Sequence, residues 1–178
     1  FEGITLYRAT GTGDDMRFQK ELISPGHVGV APRLGASDVG EGTSAGTRIL
    51  ASVEPWHGNE VVVYTESMGV WRRRVIFDEI TSGHEIAVLD LNGNGRADIV
   101  ANDNSRSGQN SPGATPGVHV FFSPEDPSMG KWTYSRIESE LAMNSCVGGD
   151  MNLDGRPDLI CTGSGGMIRW YENLGPDL

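Results

Sequence analysis

Two nine-residue segments of this sequence carry oxygen-bearing side chains at alternate positions. They read DLNGNGRAD at 90–98 and DMNLDGRPD at 150–158, and both fit the pattern D-x-[DN]-x-[DN]-G-x-x-D. Ca²⁺ is a hard cation that takes about six to eight oxygen ligands, and short side chains at alternate positions can wrap around it. The predicted ligands are Asp90, Asn92, Asn94, the carbonyl of Arg96, and Asp98 in the first loop, and Asp150, Asn152, Asp154, the carbonyl of Arg156, and Asp158 in the second.

The residues around these segments separate a calcium hairpin from other loops. An EF-hand needs a glutamate at position 12 between two helices, but position 12 is Ala101 or Cys161 and the flanks have strand character. A metal-free turn stays an alternative, because Asp, Asn and Gly favour turns in any case.

The segment that begins at Asp38 has glycine at positions 3 and 9, so we expect no metal there. The first loop has fewer carboxylates than the second, so we expect it to bind Ca²⁺ more weakly.

A second group of polar residues lies just before the predicted inner strands. His27, His84 and Asn144 occupy equivalent places there, and His57 lies on a connection in the segment PWHGN. If the inner strands all start at one end of the molecule, these residues ring the mouth of a central channel. Imidazoles there can bind a further divalent metal or act as general bases. The predicted catalytic residues are His27, His57 and His84, and the predicted substrate contacts are Arg33, Glu54, Trp56, Asn59 and Asn144. The alternative is that the imidazoles only hydrogen-bond strand ends.

An internal repeat supplies the elements that would position these residues. The segments MRFQKELI (16–23), GVWRRRVI (69–76) and GKWTYSRI (130–137) each place an aromatic residue five positions before an isoleucine. Each follows a β-branched or aromatic run and precedes an apolar stretch that is closed by an aspartate. A spacing of roughly 50–60 residues suits a four-stranded propeller blade better than a helical repeat. We expect Trp71 and Trp132 to pack in the core of the blades.

The repeat predicts an all-β fold, namely a β-propeller of four-stranded antiparallel blades. The chain would be a single propeller segment, with repeat units at about 1–54, 55–103 and 104–163 and a partial unit at 164–178. Closed propellers have about four to eight blades, whereas these units make about three. We therefore expect part of a seven-bladed propeller, completed by the remainder of a larger propeller or by a homo-oligomeric partner that covers the strand edges. A β-sandwich with coincidental spacing is the alternative.

The two loops, with the segments ADIV and PDLI at their ends, resemble the FG-GAP or VCBS-type propeller repeats of integrin α-subunits, fungal lectins and secreted bacterial proteins. The resemblance covers nearly the whole chain. It implies that each loop joins the two innermost strands of a blade and holds Ca²⁺ in a structural role. The resemblance extends to the aspartate and asparagine ligands of both loops, but it fails at Asp38.

A narrower resemblance rests on SVEPWHGNEVVVYT (52–65), WRRRVIFD (71–78) and GHEIAVLDLNGNGRADIV (83–100). These segments are similar to the propeller domain of aldos-2-ulose dehydratase-like proteins, which eliminate water from an oxidised sugar and also carry cupin domains that are absent from these 178 residues. The resemblance implies a calcium-stabilised propeller that handles a carbohydrate, as part of a sugar lyase or dehydratase. The alternative is a non-catalytic extracellular lectin or adhesion propeller in which calcium is purely structural.

Charge and composition bear on partners and location. The formal net charge is -10, from 24 acidic and 14 basic residues, which disfavours nucleic acid and anionic membranes as partners. No apolar run approaches the roughly 20 residues of a membrane helix, and no signal peptide precedes the first predicted strand. Hairpin loops without a bidentate glutamate should be weak sites that fill where calcium is millimolar. That expectation indicates an extracellular, secreted protein.

The two cysteines and the fourth histidine have structural interpretations. Cys146 and Cys161 flank the second loop almost symmetrically, so a hairpin would place them opposite each other. A cross-strand disulfide is one outcome, although we favour two buried free thiols. His119 alternates with valines along a predicted strand, and we expect its side chain on the surface.

Overall fold

The computed structural model of this protein describes residues 4–24, 30–36, 47–55, 57–105 and 113–175. These residues form thirteen strands in four antiparallel sheets, together with a short 3-10 helix at Gly13–Asp15. Within these ranges the structure has no helix that is long and apolar enough to cross a membrane. The all-β prediction is confirmed, whereas no closed propeller is detected in the described part of the chain.

The strands of each sheet are neighbours in chain order. Sheet 1 contains β1 (Ile4–Thr10) and β2 (Arg17–Ser24). Sheet 2 contains β3 (Val30–Ala36), β4 (Arg48–Glu54), β5 (Glu60–Ser67) and β6 (Val70–Phe77). Sheet 3 contains β7 (Gly83–Leu89), β8 (Asp98–Asp103), β9 (Gly117–Phe122) and β10 (Thr133–Glu138). Sheet 4 contains β11 (Met143–Gly149), β12 (Asp158–Gly163) and β13 (Met167–Tyr171).

Sheet 2 is covered on both faces, and the side chains of β5 show how. Val61 and Val63 pack in the core between sheets 2 and 3, while Val62 and Tyr64 pack in the core between sheets 1 and 2. Successive side chains of a strand point to opposite faces of its sheet. A strand with a neighbouring sheet on each side is therefore apolar at every position, which explains the run VVVY. Burial of each valine contributes about 1.5–3 kcal/mol.

Sheet 3 is covered in the same way, so the sheets form a stack in chain order. Ile99 and Phe121 belong to the core shared with sheet 2, and Val100 and Val120 belong to the core shared with sheet 4. The first strands of sheets 2, 3 and 4 are also neighbours, because β7 contacts both β3 and β11. Sheets 2, 3 and 4 therefore present their first strands on the same side of the stack.

Sheet 4 has one covered face and one exposed face. Leu159 and Cys161 are buried against sheet 3, whereas Val147, Ile168 and Trp170 on the opposite face are exposed to 56%, 67% and 53%. The corresponding positions of sheet 3, which sheet 4 covers, are the buried residues Ala87, Val118 and Val120. The repeat thus continues into sheet 4 with an apolar outer face.

The three aromatic–isoleucine segments lie on, or directly before, the last strands of sheets 1, 2 and 3. Trp132 is buried in the core between sheets 2 and 3, and Trp71 packs against the core between sheets 1 and 2. The predicted core role of both tryptophans is confirmed. Phe18, at the same place in β2, is instead exposed, because no described sheet lies beyond sheet 1.

Two predictions about single side chains are wrong. Cys146 and Cys161 are direct cross-strand neighbours in sheet 4 and form a disulfide bond, with 4.1 Å between their Cα atoms. They are therefore not free thiols. His119 is fully buried rather than exposed, because β9 lies in a sheet that is covered on both faces.

Candidate metal loops and a histidine site

The first candidate calcium loop joins β7 to β8 and is closed by its own short side chains. The two carboxylate oxygens of Asp90 accept hydrogen bonds from the backbone N–H groups of Asn94 (3.1 Å) and Gly95 (2.8 Å). Asn92 Oδ1 also accepts the N–H of Asn94, at 3.2 Å, and Asn94 Oδ1 accepts the N–H of Arg96 at 2.9 Å. Since Asp90 and Asn92 share one donor, their oxygens converge on the centre of the loop.

Asp98, the last predicted ligand of this loop, is fully buried. One carboxylate oxygen accepts the N–H of Leu91 at 3.0 Å, and the other accepts the N–H of Ser123, on the chain after β9, at 2.8 Å. Burial raises the pKa of this carboxyl group to about 6, although both hydrogen bonds oppose the shift, and the nearby Asp90 adds to it. Asp98 therefore fastens the loop to the neighbouring hairpin.

The second loop, between β11 and β12, repeats this arrangement bond by bond. The oxygens of Asp150 accept the N–H groups of Asp154 (3.0 Å) and Gly155 (2.9 Å). Asn152 Oδ1 shares the first of these donors at 3.2 Å. Asp158 accepts the N–H groups that correspond to those at Asp98, from Met151 at 3.1 Å and from Asn173 at 2.8 Å. Two copies of one geometry indicate that the sequence pattern determines the loop.

The electrostatics of the two loops differ although their hydrogen bonds match. Arg156 forms an ion pair with Asp154 in the second loop, whereas the equivalent pair in the first loop is Arg96 and the neutral Asn94. Hydrogen bonding from the N–H of Asn173 holds the pKa of Asp158 below its ordinary value, in contrast to the raised pKa of Asp98. Both side chains are fully buried, but desolvation outweighs the hydrogen bonds only at Asp98, because sheet 3 has a neighbouring sheet on each face.

The donor set of each loop fits a hard divalent cation. Carboxylate and amide oxygens have about two lone pairs each, so an oxygen that accepts one N–H bond keeps acceptor capacity at the loop centre. In the second loop Oδ2 of Asp154 accepts from both Asn152 and Arg156, so Ca²⁺ would have to displace one of these donors there. In the described residues no lysine or arginine forms an ion pair with Asp90 or Asp98. The described residues also contain no group of three or more His, Cys, Asp or Glu side chains that could hold a metal. The loops would therefore need amide and carbonyl oxygens, which are ligands that Ca²⁺ accepts.

Glycine is required at the turn of both loops. Gly95 and Gly155 have φ values of 78° and 84°, in the left-handed region that strains most other residues. The position two residues earlier differs, because Gly93 has φ 70° and Leu153 has φ 64°. The second loop thus carries a leucine in a conformation that favours glycine.

The histidine site lies at the other end of the same strands. β7 begins with Gly83 and His84 and ends next to the first loop after seven residues, which places the two ends roughly 20 Å apart at about 3.3 Å per residue. The ring of His57 lies edge-on to that of His84, with 5.2 Å between centroids. The N–H of Gly83 donates to the carbonyl of Gly58 at 3.0 Å, which holds the His57 turn against β7.

The structure also brings Asn144 to this site. His84 Nδ1 lies 2.8 Å from the carbonyl oxygen of Asn144. Because a carbonyl oxygen only accepts, Nδ1 carries a proton, and in the neutral ring Nε2 then has the lone pair. The side chain of Asn144 in turn accepts a hydrogen bond from Asn104 Nδ2 at 3.1 Å. Asn104 was not among the predicted residues. Its only signal is its position directly after β8, where the chain passes the start of β11.

The other predicted residues of this site have different placements. Glu54 is buried and accepts hydrogen bonds from the hydroxyl of Tyr64 at 2.6 Å and from Arg73 Nε at 2.9 Å. Asn59 Nδ2 donates to the carbonyl of Asp78 at 3.0 Å. Arg33 lies on β3. The residues that fall outside the described ranges are His27, Trp56 and Asp38.

Comparison with known proteins adds no assignment. No family model matches the chain, and neither the curated proteins nor the solved structures give a match.

Proposed function

We propose that this chain is a segment of a larger, seven-bladed, calcium-stabilised β-propeller. The support is the topology: sheets 2 and 3 are each a four-stranded antiparallel meander in chain order, and sheets 2, 3 and 4 pack face to face with their first strands adjacent. Repeated meanders packed in this manner are the building units of propellers. The described chain would contribute two complete blades and parts of two others.

Calcium in this proposal is structural. The ligands would be the four aspartate and asparagine side chains of each loop, with the carbonyls of Arg96 and Arg156. The ion would supply positive charge between Asp90 and Asp98, since the negative charge of Asp90 contributes to the raised pKa of Asp98. The Cys146–Cys161 disulfide supports an extracellular, secreted location, because disulfides persist in oxidising compartments.

We propose that the histidine site binds a carbohydrate and catalyses the elimination of water from it. The observation that carries this proposal is the 2.8 Å contact between His84 Nδ1 and the Asn144 carbonyl. That contact leaves Nε2 as a base that can remove a proton from the carbon next to a sugar carbonyl. The carbon–oxygen bond at the following carbon then breaks. The leaving hydroxide takes a proton from His57, so the products are water and an unsaturated sugar.

The test is an assay for an unsaturated product with 2-keto sugars and uronic oligosaccharides, followed by ultraviolet absorbance. We expect His84→Ala and His57→Ala each to lower the rate by about 100-fold or more, as loss of a general acid or base does. The exposed Met129→Ala is the control and should keep the rate of the parent chain. An unchanged rate in His84→Ala would contradict the catalytic role. Sugar binding without any product would instead identify the alternative, a lectin or adhesion propeller.

A further inference from the structure

The first strands of sheets 3 and 4 begin with the same β-bulge. The pairing of β7 with β8 skips His84, and the pairing of β11 with β12 skips Asn144. A bulge adds one residue that has no register partner in the neighbouring strand, and it redirects the side chain at that point. The two residues that meet in the histidine site therefore come from the same irregular position of the repeat.

The bulge of sheet 4 determines which nitrogen of His84 holds the proton. Nδ1 of His84 donates to the backbone carbonyl of Asn144 at 2.8 Å. That carbonyl belongs to a residue outside the regular register of β11 and β12, so its orientation is not fixed by a strand partner in the way that a regular ladder fixes it. Some other contact must hold the residue, and its side chain shows which.

Asn104 supplies this contact, because it reaches both sheets. Its backbone N–H donates to the carbonyl of Ser82, two residues before His84, at 3.0 Å. Its side-chain Nδ2 donates to Oδ1 of Asn144 at 3.1 Å. One residue thus links the start of β7 to the bulge of β11.

The equivalent residue of sheet 4, Ser164, separates the structural part of this arrangement from the rest. The backbone N–H of Ser164 donates to the carbonyl of Ala142 at 3.2 Å, as the N–H of Asn104 does to the carbonyl of Ser82. The backbone bond closes the strand pair in both sheets and does not need an asparagine. The side-chain bond of Asn104 is therefore an addition to the repeat, and it is made to the residue that contacts His84.

We propose that Asn104 is a positioning residue for His84. By holding the side chain of Asn144, it orients the Asn144 carbonyl, which keeps the proton of the neutral imidazole on Nδ1 and leaves Nε2 as the base. The link to catalysis rests on the proposed elimination, but the tautomer is a property of this chain and is measured without a substrate. One hydrogen bond of this kind corresponds to about a two- to tenfold change in an equilibrium.

The test is ¹⁵N NMR of the imidazole nitrogens in the whole chain, at about pH 8.5, where histidine is ordinarily neutral. The signals of His84 are those that disappear in His84→Gln. We expect the Nδ1–H form to predominate in the parent chain, and the ratio of the Nδ1–H to the Nε2–H form to fall at least about threefold in Asn104→Ala. A parent chain with the proton on Nε2, or an unchanged ratio in Asn104→Ala, would overturn the proposal.

The matched control is Ser164→Ala, which changes the equivalent residue of sheet 4 and should leave the ratio unchanged. An equal fall in Ser164→Ala would show that any loosening of these turns moves the proton, and it would contradict a specific role of Asn104. Circular dichroism and melting curves establish that the variants are folded.

A double-mutant cycle tests the route through Asn144. Asn144→Ala keeps the backbone carbonyl that His84 contacts but removes the side-chain acceptor, so it should lower the ratio as much as Asn104→Ala does. The double variant should show no further fall, because both changes remove the same interaction. Additive falls would contradict this route.

Kinetics distinguish failure of this inference from failure of the proposed elimination. With a sugar that the parent chain converts, Asn104→Ala should lower kcat about two- to tenfold and leave KM nearly unchanged, because it affects the base and not binding. A shifted tautomer ratio without any unsaturated product would support the positioning role and contradict the elimination. Product formation with an unchanged ratio in Asn104→Ala would contradict the positioning role alone.

Discussion

Sheets 3 and 4 are successive copies of one unit, yet they are stabilised differently. Sheet 3 has four strands and a neighbouring sheet on each face, and its core is closed by side chains such as Phe121 and Trp132. Within the described residues sheet 4 has three strands and one covered face, and a disulfide joins its first two strands. At the position of the half-cystines, sheet 3 has the apolar residues Ile86 and Ala101. A unit at the end of the described stack thus has a covalent bond where an interior unit has only packing.

The same comparison explains why the two candidate calcium loops share one geometry but differ in their electrostatics. Both loops have one hydrogen-bond pattern, because that pattern depends on residues within nine positions. The pKa values of Asp98 and Asp158 shift in opposite directions, because they depend on what surrounds the loop. Local sequence therefore determines the loop geometry, and the stack of sheets determines its electrostatics.

The largest loss of stability should follow from replacing the aspartates that close the loops. Asp98→Ala leaves the N–H groups of Leu91 and Ser123 without their acceptor, at about 1–3 kcal/mol for each unsatisfied buried group. We expect a loss of roughly 4 kcal/mol in the free energy of unfolding, measured with urea. Asp158→Ala is the matched control in sheet 4 and should cost less, because its partners are nearer to solvent. Equal losses would remove the distinction between an interior and a terminal sheet.

The next largest loss of stability should follow from removal of the disulfide bond. Replacing both Cys146 and Cys161 with serine opens a loop with a sequence separation of 15, for which about 3 kcal/mol of stability is expected to be lost. A reducing agent should lower the melting temperature of the parent chain to that of the double variant. A parent chain whose melting temperature does not respond to reduction would show that packing alone holds sheet 4.

An acid-dependent difference between the sheets should follow from Asp103, which corresponds to Gly163 in sheet 4. Burial alone would raise the pKa of Asp103, but hydrogen bonds from Ser105, Thr81 and Thr115 outweigh it and lower the pKa. A lowered pKa contributes stability that is present above the ordinary value of 3.8 and is lost as the pH falls through the folded value. Asp103→Asn should therefore flatten the decline of the melting temperature below about pH 4. A decline as steep as that of the parent chain would assign acid sensitivity to other groups.

The smallest change in stability should come from substitutions at the loop positions that have a left-handed backbone conformation. Leu153→Gly relieves the positive φ of the second loop and should stabilise the chain by about 1 kcal/mol. Gly93→Ala makes the reciprocal change in the first loop, where an added Cβ meets no atom within 4 Å, and should destabilise by a similar amount. Urea unfolding measures both. Changes of the same sign would show that backbone strain is not what distinguishes the loops.

Much of the fold could be predicted from the sequence because its repeat signals are local. Short runs of β-branched and aromatic residues predicted strands such as β5 and β9, and the nine-residue pattern predicted two hairpin loops. The wrong predictions concern interactions between distant segments. His119 was expected on the surface, because its valine neighbours alone indicated a strand with a solvent-facing side. Its ring is buried, with Nε2 donating to the carbonyl of Thr115 at 2.9 Å and Nδ1 next to the Tyr134 hydroxyl at 3.0 Å.

The candidate histidine site also contains residues that the sequence could group and residues whose role depends on distant strands. His57, His84 and Asn144 could be grouped because they occupy repeated positions at strand starts, and the structure brings them together. Glu54 could not be assigned from sequence, because its partners Tyr64 and Arg73 lie on other strands and fix its carboxylate inside sheet 2.

Calcium titration of the chelator-treated chain by calorimetry shows whether the two loops bind the ion. We expect two binding sites in the parent chain, one in Asp90→Ala, one in Asp150→Ala and none in the double variant. We also expect chelator to lower the melting temperature of the parent chain but not that of the double variant. A parent chain that takes up no calcium, or a double variant that still binds two ions, would contradict the assignment of both loops.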